Sequence, residues 1–218
     1  MANYKSLNPQ KALIWRIVHK DNLPWILANG LYAGSSEIKA SDWVNIGNME
    51  LIERRKQRRV PVAPGGTLND YIPFYFTPFS PMLYNIHTGR GGVTRQDNED
   101  IVILVSSLHR LQQLERVFVF TDRHAYTPMA GYYSHLEQLD KIDWELLQQR
   151  HFHRVLDKPE QIERYQAEAL VHQHLPVTAL LGIVCYSPVL QEKLQKEIGH
   201  LLNIQCLPDW YFNGGGNQ

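Results

Sequence analysis

Apolar residues along the chain fall into short runs with two different periods. "LIWRIV" (13–18), "IPFYFT" (72–77), "IVILVSS" (101–107), "VFVFTD" (117–122) and "LLGIVCYS" (180–187) are rich in branched and aromatic residues and have the length of strands. "IQCLPDWYF" (204–212) predicts a closing strand. Helical spacing governs other stretches. In "KDNLPWILANG" (20–30), Asp21 or Asn22 is the expected N-cap, Pro24 lies in the first turn and Gly30 is the stop. "PVLQEKLQKEIGHLL" (188–202) predicts an amphipathic helix, and 129–152 a largely helical segment. Residues 35–70 read as irregular, with one helical piece around "NMELIERRKQRR" and turn chemistry in "GGTLNDY". "RGGVTRQDNED" (90–100) reads as a polar loop. The order predicts an α+β fold, a mixed sheet flanked by helices, in a single domain over 1–218 with 1–11 a loosely ordered leader.

One stretch fits both periods. "RYQAEALVHQHLP" (164–176) places Glu168 between two alanines as an apolar element begins. As a helix, Glu163, Ala167, Leu170 and Val171 fit one helical face and Glu168 points to water. As a strand, the same residues bury a carboxylate. Pattern alone leaves both open.

Composition narrows the class. The chain has 218 residues, 44% of them hydrophobic, ordinary for a globular domain with a real core. No run approaches the roughly 20 apolar residues that span a membrane, and "MANYKSLNPQ" has no apolar stretch before a cleavage signal. Cys185 and Cys206 are too few to staple the chain, which fits a reducing cytoplasm, and too few for a Cys-rich zinc site. Formal net charge is zero, yet residues 1–125 carry 15 cationic against 11 acidic side chains, and 126–218 carry 7 against 11. A basic face is therefore compatible with a neutral protein.

The candidate chemistry lies in four places. "ERRKQRR" (53–59) has five cations in seven positions, either a solvated helix face or a phosphate site, for which the arginine fork is suited. "DYIPFYFTPFSPML" (70–83) combines five aromatics and three prolines. Phe74 and Phe76 fit the core there, while Tyr75 and Met82 suit the wall of a pocket for a flat ring. "FTDRHAY" (120–126) ends a strand with Asp122, Arg123 and His124. Histidines in "HFH" and "HQH" have poor spacing for a metal, and none is expected. No GxGxxG, P-loop or GxSxG motif occurs, so any nucleotide is held by other means.

Together "IWRIVHKDNLPWILANGL", "ERRKQRRVPV", "GGTLNDYIPFYFTPFSPMLYNI", "VFVFTDRHAY", "IDW", "ERYQAEALV" and "DWYF" resemble the DarT family, the toxin half of DarTG toxin–antitoxin systems, over about residues 12–212. The combination is specific where any one piece is not. The resemblance is greatest to members that modify thymidine in single-stranded DNA. It implies an ADP-ribosyltransferase fold with a split, mixed β core, NAD as substrate without a metal, and a cognate macrodomain-type antitoxin as partner. It also places Glu168 at the catalytic glutamate, Arg55 at the active-site arginine and His124 at a histidine near the site; Arg55 is the candidate partner of the thymine N3 proton or anion, with His124 as its substitute, so all three are catalytic candidates. Arg16, Ile17 and Val18 fall on the first-strand segment that contacts NAD, where many relatives have histidine in place of Arg16. Trp25, Arg55, Tyr75 and Met82 join them as NAD-binding candidates. The stretch "HFHRVLDKPEQIERYQ" (151–166) matches the substrate-recognition loop. The resemblance favours the strand reading of "AEALV". Local cations, Arg54, Arg58, Arg59, Arg123 and Arg154, with stacking on Tyr75, are the expected DNA contacts. Two other classes compete: an NAD-dependent RNA 2′-phosphotransferase, which needs no catalytic glutamate, and a non-enzymatic nucleic-acid-binding module built on 53–59.

Overall fold

The computed structural model describes residues 4–150, 160–199 and 201–212. β1 (Leu13–His19) leads into α1 (Leu23–Asn29), β2 (Leu31–Tyr32), α2 (Met49–Arg55), β3 (Tyr71–Tyr75) and α3 (Pro81–Thr88). Then come β4 (Ile101–Ser107), α4 (Leu108–Gln113), β5 (Phe118–Thr121), β6 (Tyr132–Tyr133), α5 (Trp144–Gln149) and α6 (Glu160–Tyr165). β7 (Glu168–His172), β8 (His174–Leu175), β9 (Gly182–Cys185), α7 (Pro188–Ile198) and β10 (Ile204–Cys206) complete the order.

Eight strands form one sheet in the order β10-β9-β4-β1-β3-β7-β5-β6, while β2 and β8 pair separately. Every pairing in the large sheet is antiparallel except β9 with β10. The sheet is split at its centre. β1 pairs with β4 from Leu13↔Ser107 through His19↔Ile101, and β3 pairs with β7 from Tyr71↔His172 through Tyr75↔Glu168. Between β1 and β3 only one rung forms, Trp15↔Tyr75. Pro73 shows how the sequence tolerates this. Proline is disfavoured inside a sheet because it cannot donate to a ladder. The Pro73 carbonyl faces β1, where the Arg16 guanidinium donates to it through Nη1 at 2.8 Å. The missing N–H of Pro73 points to the same edge, where the ladder is already broken.

Asn22 is the residue at the α1 N-cap position, but its side chain does not cap the helix. Its amide instead bonds the backbone N–H and C=O of Val44, both at 2.9 Å, and so ties the irregular 35–48 stretch to α1. Gly30 ends the helix at φ 82°, returning its N–H to the Ile26 carbonyl. A Cβ there would stand 2.4 Å from the Leu175 carbonyl oxygen, so the position favours glycine.

The structure departs from the sequence expectations in several places. Residues 129–152 are not largely helical: β6, a 3-10 turn over Leu136–Lys141 and the short α5 share them. The closing strand stops at Cys206 and yields to a 3-10 turn at Pro208–Trp210. α3 and α4 were not anticipated, although Ser80 as N-cap followed by Pro81 is a helix-start signal. The segment expected as a loose leader is packed from residue 4 onward. Leu7 is buried, Gln148 donates to its carbonyl at 2.7 Å, and Arg150 donates to the Tyr4 hydroxyl at 2.8 Å.

Candidate active site

The helical reading of Glu168 does not hold. α6 ends at Tyr165, and Glu168 opens β7 with its side chain only 1% exposed. It stands opposite Tyr75, which in turn stands opposite Trp15. The carboxylate thus sits on the row of residues that joins the two halves of the sheet.

Three elements converge on it. Oε1 accepts from the Ala125 backbone N–H at 2.9 Å and from Arg55 Nη1 at 3.2 Å. Nη1 also lies 3.0 Å from Oε2, with the Arg55 side chain 12% exposed. Arg55 is delivered by the last turn of α2, whose N-cap Asn48 accepts from the Leu51 N–H. His124 Nδ1 is 3.9 Å from Oε1. Below the carboxylate, the Glu168 N–H donates to Thr121 Oγ1 at 3.2 Å, and that hydroxyl donates to the Arg123 carbonyl at 2.6 Å.

Several buried polar atoms in this cluster lack a hydrogen-bond partner: Arg16 Nε, Arg55 Nη2 and Glu168 Oε2, the last held only by the ionic contact with Arg55. A buried polar atom left unmatched typically costs about 1–3 kcal/mol. Two unmatched guanidinium donors and a carboxylate oxygen are suited to a ligand carrying hydroxyls and phosphates. Burial lowers the Arg16 pKa to about 10, Tyr75 opposes this, and the charge of Arg55 adds to it. Arg16 remains a cation at neutral pH. The Tyr75 phenol is pushed up by burial and by Glu168, against Arg55 and Arg16, and stays protonated. Its hydroxyl lies 3.5 Å from the sulfur of Met82 on α3, so the two sequence-predicted wall residues meet.

His124 is held below its ordinary pKa by burial, with Glu168 raising it, Arg55 lowering it and Glu163 raising it. It is a neutral imidazole at pH 7. Nδ1 accepts from the Tyr126 N–H at 3.2 Å, which places the ring hydrogen on Nε2. In this tautomer His124 presents a donor at Nε2.

The remaining candidates divide. Ile17 and Val18 are core side chains, leaving only their backbone to touch a ligand. Trp25 packs edge-on against Tyr32 and Trp43, each at 5.9 Å, within the aromatic cluster of α1. The basic run does not form one surface. Arg54 pairs with Glu50 and Lys56 with Glu53 on the exposed side of α2. Arg55 turns inward, Arg58 donates to the Thr127 carbonyl at 2.8 Å, and Arg59 is exposed with its backbone bridged to Thr67. Arg123 contacts Asp122 and Glu163. Arg154, and most of the 151–166 stretch, lie outside the described residues. The Ala125 N–H was not legible in sequence, because any residue but proline supplies one. Among the described residues no group of histidine, cysteine and acid side chains is arranged to hold a metal. No described helix is long and apolar enough to cross a membrane.

The family model described as ssDNA thymidine ADP-ribosyltransferase, DarT, matches residues 15–212. A protein of Escherichia coli O127:H6 named DNA ADP-ribosyl transferase is 55% identical over 211 residues, covering 95% of this chain and 97% of its own length. Among solved structures, Thermus sp. 2.9 DarT in complex with ADP-ribosylated ssDNA superposes with a TM-score of 0.85 at 34% identity, over 94% of this chain and 98% of that one. The same Thermus protein in complex with NAD+ gives 0.79 at 33% identity, over 94% and 99%.

Proposed function

The chain belongs to the DarT family of ssDNA thymidine ADP-ribosyltransferases, and on that premise we propose that Glu168, Arg55 and Arg16 form its catalytic and NAD-binding centre. The protein is an NAD-dependent toxin that transfers ADP-ribose to a thymine base of single-stranded DNA and releases nicotinamide. The observation that carries the assignment of residues is the buried Glu168 carboxylate paired with Arg55 at the split between β1 and β3.

The reaction breaks the bond between C1′ of the ribose and nicotinamide, which leaves as a neutral ring. A bond forms between C1′ and thymine N3, and the N3–H bond breaks with its proton passing to solvent water. Positive charge builds on the sugar as the first bond stretches. Glu168, fixed by the Ala125 N–H and Arg55, is a preorganised anion for that charge and an acceptor for a ribose hydroxyl. One such group is typically worth about 3–4 kcal/mol. The guanidinium fork of Arg55 serves the thymine as a stabiliser of the anion that develops when N3 loses its hydrogen. Arg16 and the free face of Arg55 suit the phosphates and ribose. Nicotinamide and thymine are flat rings, and Tyr75 with Met82 supplies an apolar wall beside Glu168. Neither the RNA 2′-phosphotransferase reading nor a bare binding module has a use for a buried carboxylate so held.

Three further assignments rest on the resemblance and on chemistry. We read the chain as one catalytic unit, supported by the continuous sheet and the extent of the family match. Its work in a reducing cytoplasm fits the two free cysteines. Its partners are single-stranded DNA and, in our reading, a cognate macrodomain-type antitoxin. The test of the site is mass spectrometry of a short thymidine-containing oligonucleotide after incubation with protein and NAD. An ADP-ribose mass gain is expected with the native chain and absent with Glu168→Gln. Equal gain with both removes Glu168 from the reaction.

A further inference from the structure

The segment 122–131 contacts Glu168 and is fastened at several points, among them the His124 N–H on the Glu163 carbonyl at 2.8 Å. At its base, the Asp122 carboxylate accepts from the Gly131 N–H at 2.9 Å, and Thr121 Oγ1 donates to the Arg123 carbonyl at 2.6 Å. At its tip, Arg58 Nη2 donates to the Thr127 carbonyl at 2.8 Å, and the Tyr132 hydroxyl donates to the Ala125 carbonyl at 2.5 Å. Ala125 is therefore held by both of its polar backbone atoms: its C=O by Tyr132 and its N–H on Glu168 Oε1. Burial raises the Tyr132 phenol, and the nearby Arg58 opposes that shift.

We propose that Arg58 and Tyr132 are positioning residues that seat the 122–131 segment so that the Ala125 N–H fixes the rotamer of the Glu168 carboxylate. The inference rests on the reading of Glu168 as catalytic. It reassigns Arg58 from the DNA-facing surface to the support of the site, and gives a role to Tyr132, which the sequence did not single out. Arg58 is half-buried, with Nη2 on the Thr127 carbonyl and Nε buried without a partner, so its fork faces the protein rather than open solvent. Arg54 and Arg59, both exposed, keep the DNA role.

A positioning role and a phosphate contact move different constants. Steady-state kinetics with NAD and a thymidine oligonucleotide are measured for Arg58→Met, Arg58→Lys, Tyr132→Phe and Glu168→Gln, with oligonucleotide binding followed against salt. A displaced carboxylate lowers kcat by roughly 10- to 100-fold in Arg58→Met and Tyr132→Phe. KM for both substrates stays within about twofold, because the effect falls on the transition state. Arg58→Lys, which retains one donor for Thr127, recovers at least part of kcat. The slope of log affinity against log salt is unchanged. A higher oligonucleotide KM with native kcat, and a salt slope smaller by about one, makes Arg58 a phosphate contact and overturns the proposal. Native kcat in Tyr132→Phe, which keeps the ring packing, overturns the seating role even if Arg58→Met does not fold. Glu168→Gln separates the two failures. Its inactivity beside normal Arg58 and Tyr132 variants rejects the seat alone, and its activity rejects the catalytic reading and the seat with it.

Discussion

Arg55 and Glu168 are 113 positions apart in sequence, yet a single guanidinium nitrogen lies 3.2 and 3.0 Å from the two carboxylate oxygens. Both groups are almost withdrawn from water, so neither tolerates losing the other. Removing one partner of a buried pair typically costs about 3–5 kcal/mol, since the remaining charge is left unmatched. Glu168→Ala should lose at least about 100-fold in rate, the expectation for one preorganised group. It should also unfold at lower urea. Glu168→Gln should be equally inactive but more stable than the alanine variant, because its side-chain carbonyl still accepts from the Ala125 N–H. Urea midpoints for the three proteins check this ordering. Equal midpoints for alanine and glutamine would mean that the acceptor contributes nothing to folding.

Arg16 carries a prediction about NAD. Its Nη1 closes the split by bonding the Pro73 carbonyl, while its Nε has no partner. Lysine keeps the charge but not the fork. Arg16→Lys should bind NAD at least about tenfold more weakly, as expected when paired hydrogen bonds to a phosphate or ribose are reduced to a point charge. Arg55→Lys should lose turnover, because its one nitrogen can replace Nη1 on the carboxylate but leaves nothing in the place of the unpartnered Nη2. Calorimetric titration with NAD tests the first, and turnover the second. Unchanged values in both variants would remove the two arginines from the site.

His124 predicts a pH dependence. Its folded pKa lies below the ordinary 6.5. Between the two values the unfolded chain takes up a proton that the folded chain refuses. Stability is therefore fully present above pH 6.5, falls as pH is lowered through 6.5, and levels off below the folded pKa. His172 is also lowered, by burial against an opposing effect of Asp70, and adds to the same trend. Urea midpoints at pH 7.5, 6.5 and 5.5 should decline, and the decline should be shallower in His124→Gln. An identical decline in the variant would show that His124 is protonated in the folded state as readily as in the unfolded one.

Much of the sheet was legible because its strands are runs of one character. β1, β4, β5 and β9 are buried almost throughout, and a run of Val, Ile, Phe and Trp betrays that without alternation. The strand at Glu168 is not legible in the residue pattern alone, where only the family resemblance favours it, since "ERYQAEALV" contains the end of α6 and the start of β7 within nine residues. Both periods are real there, and neither owns the whole stretch. β7 is buried on both faces, so no polar alternation marks it as a strand. The basic run misled for another reason. Composition counts charges, but a helix and the turn after it spread five cations over different directions. Arg55 goes to the carboxylate, Arg58 to a carbonyl, and Arg54 and Lys56 to acids on their own helix. Only the tertiary neighbours Glu168 and Thr127 tell the inward pair from the outward one.

The acceptor strand gives the last prediction. Thymine N3 is the atom that pairs with adenine, so a duplex hides the nucleophile. Exposing it requires unpairing and flipping at a cost of a few kcal/mol. The chain has zero formal net charge and so lacks an overall field to grip a duplex backbone. Of the arginines proposed as DNA contacts, Arg54 and Arg59 are exposed, and a contact from either would be local. Labelling should therefore be rapid on a single-stranded oligonucleotide, slower by about 100-fold on the same strand annealed to its complement, and absent when every thymine is replaced. A complement that leaves one thymine bulged should restore the rate, because the unpairing cost is removed while the duplex backbone remains. Slow labelling of the bulge would locate the discrimination in the backbone path, where the rigid duplex fails to fit, and would move the argument from the base to the groove that carries the strand.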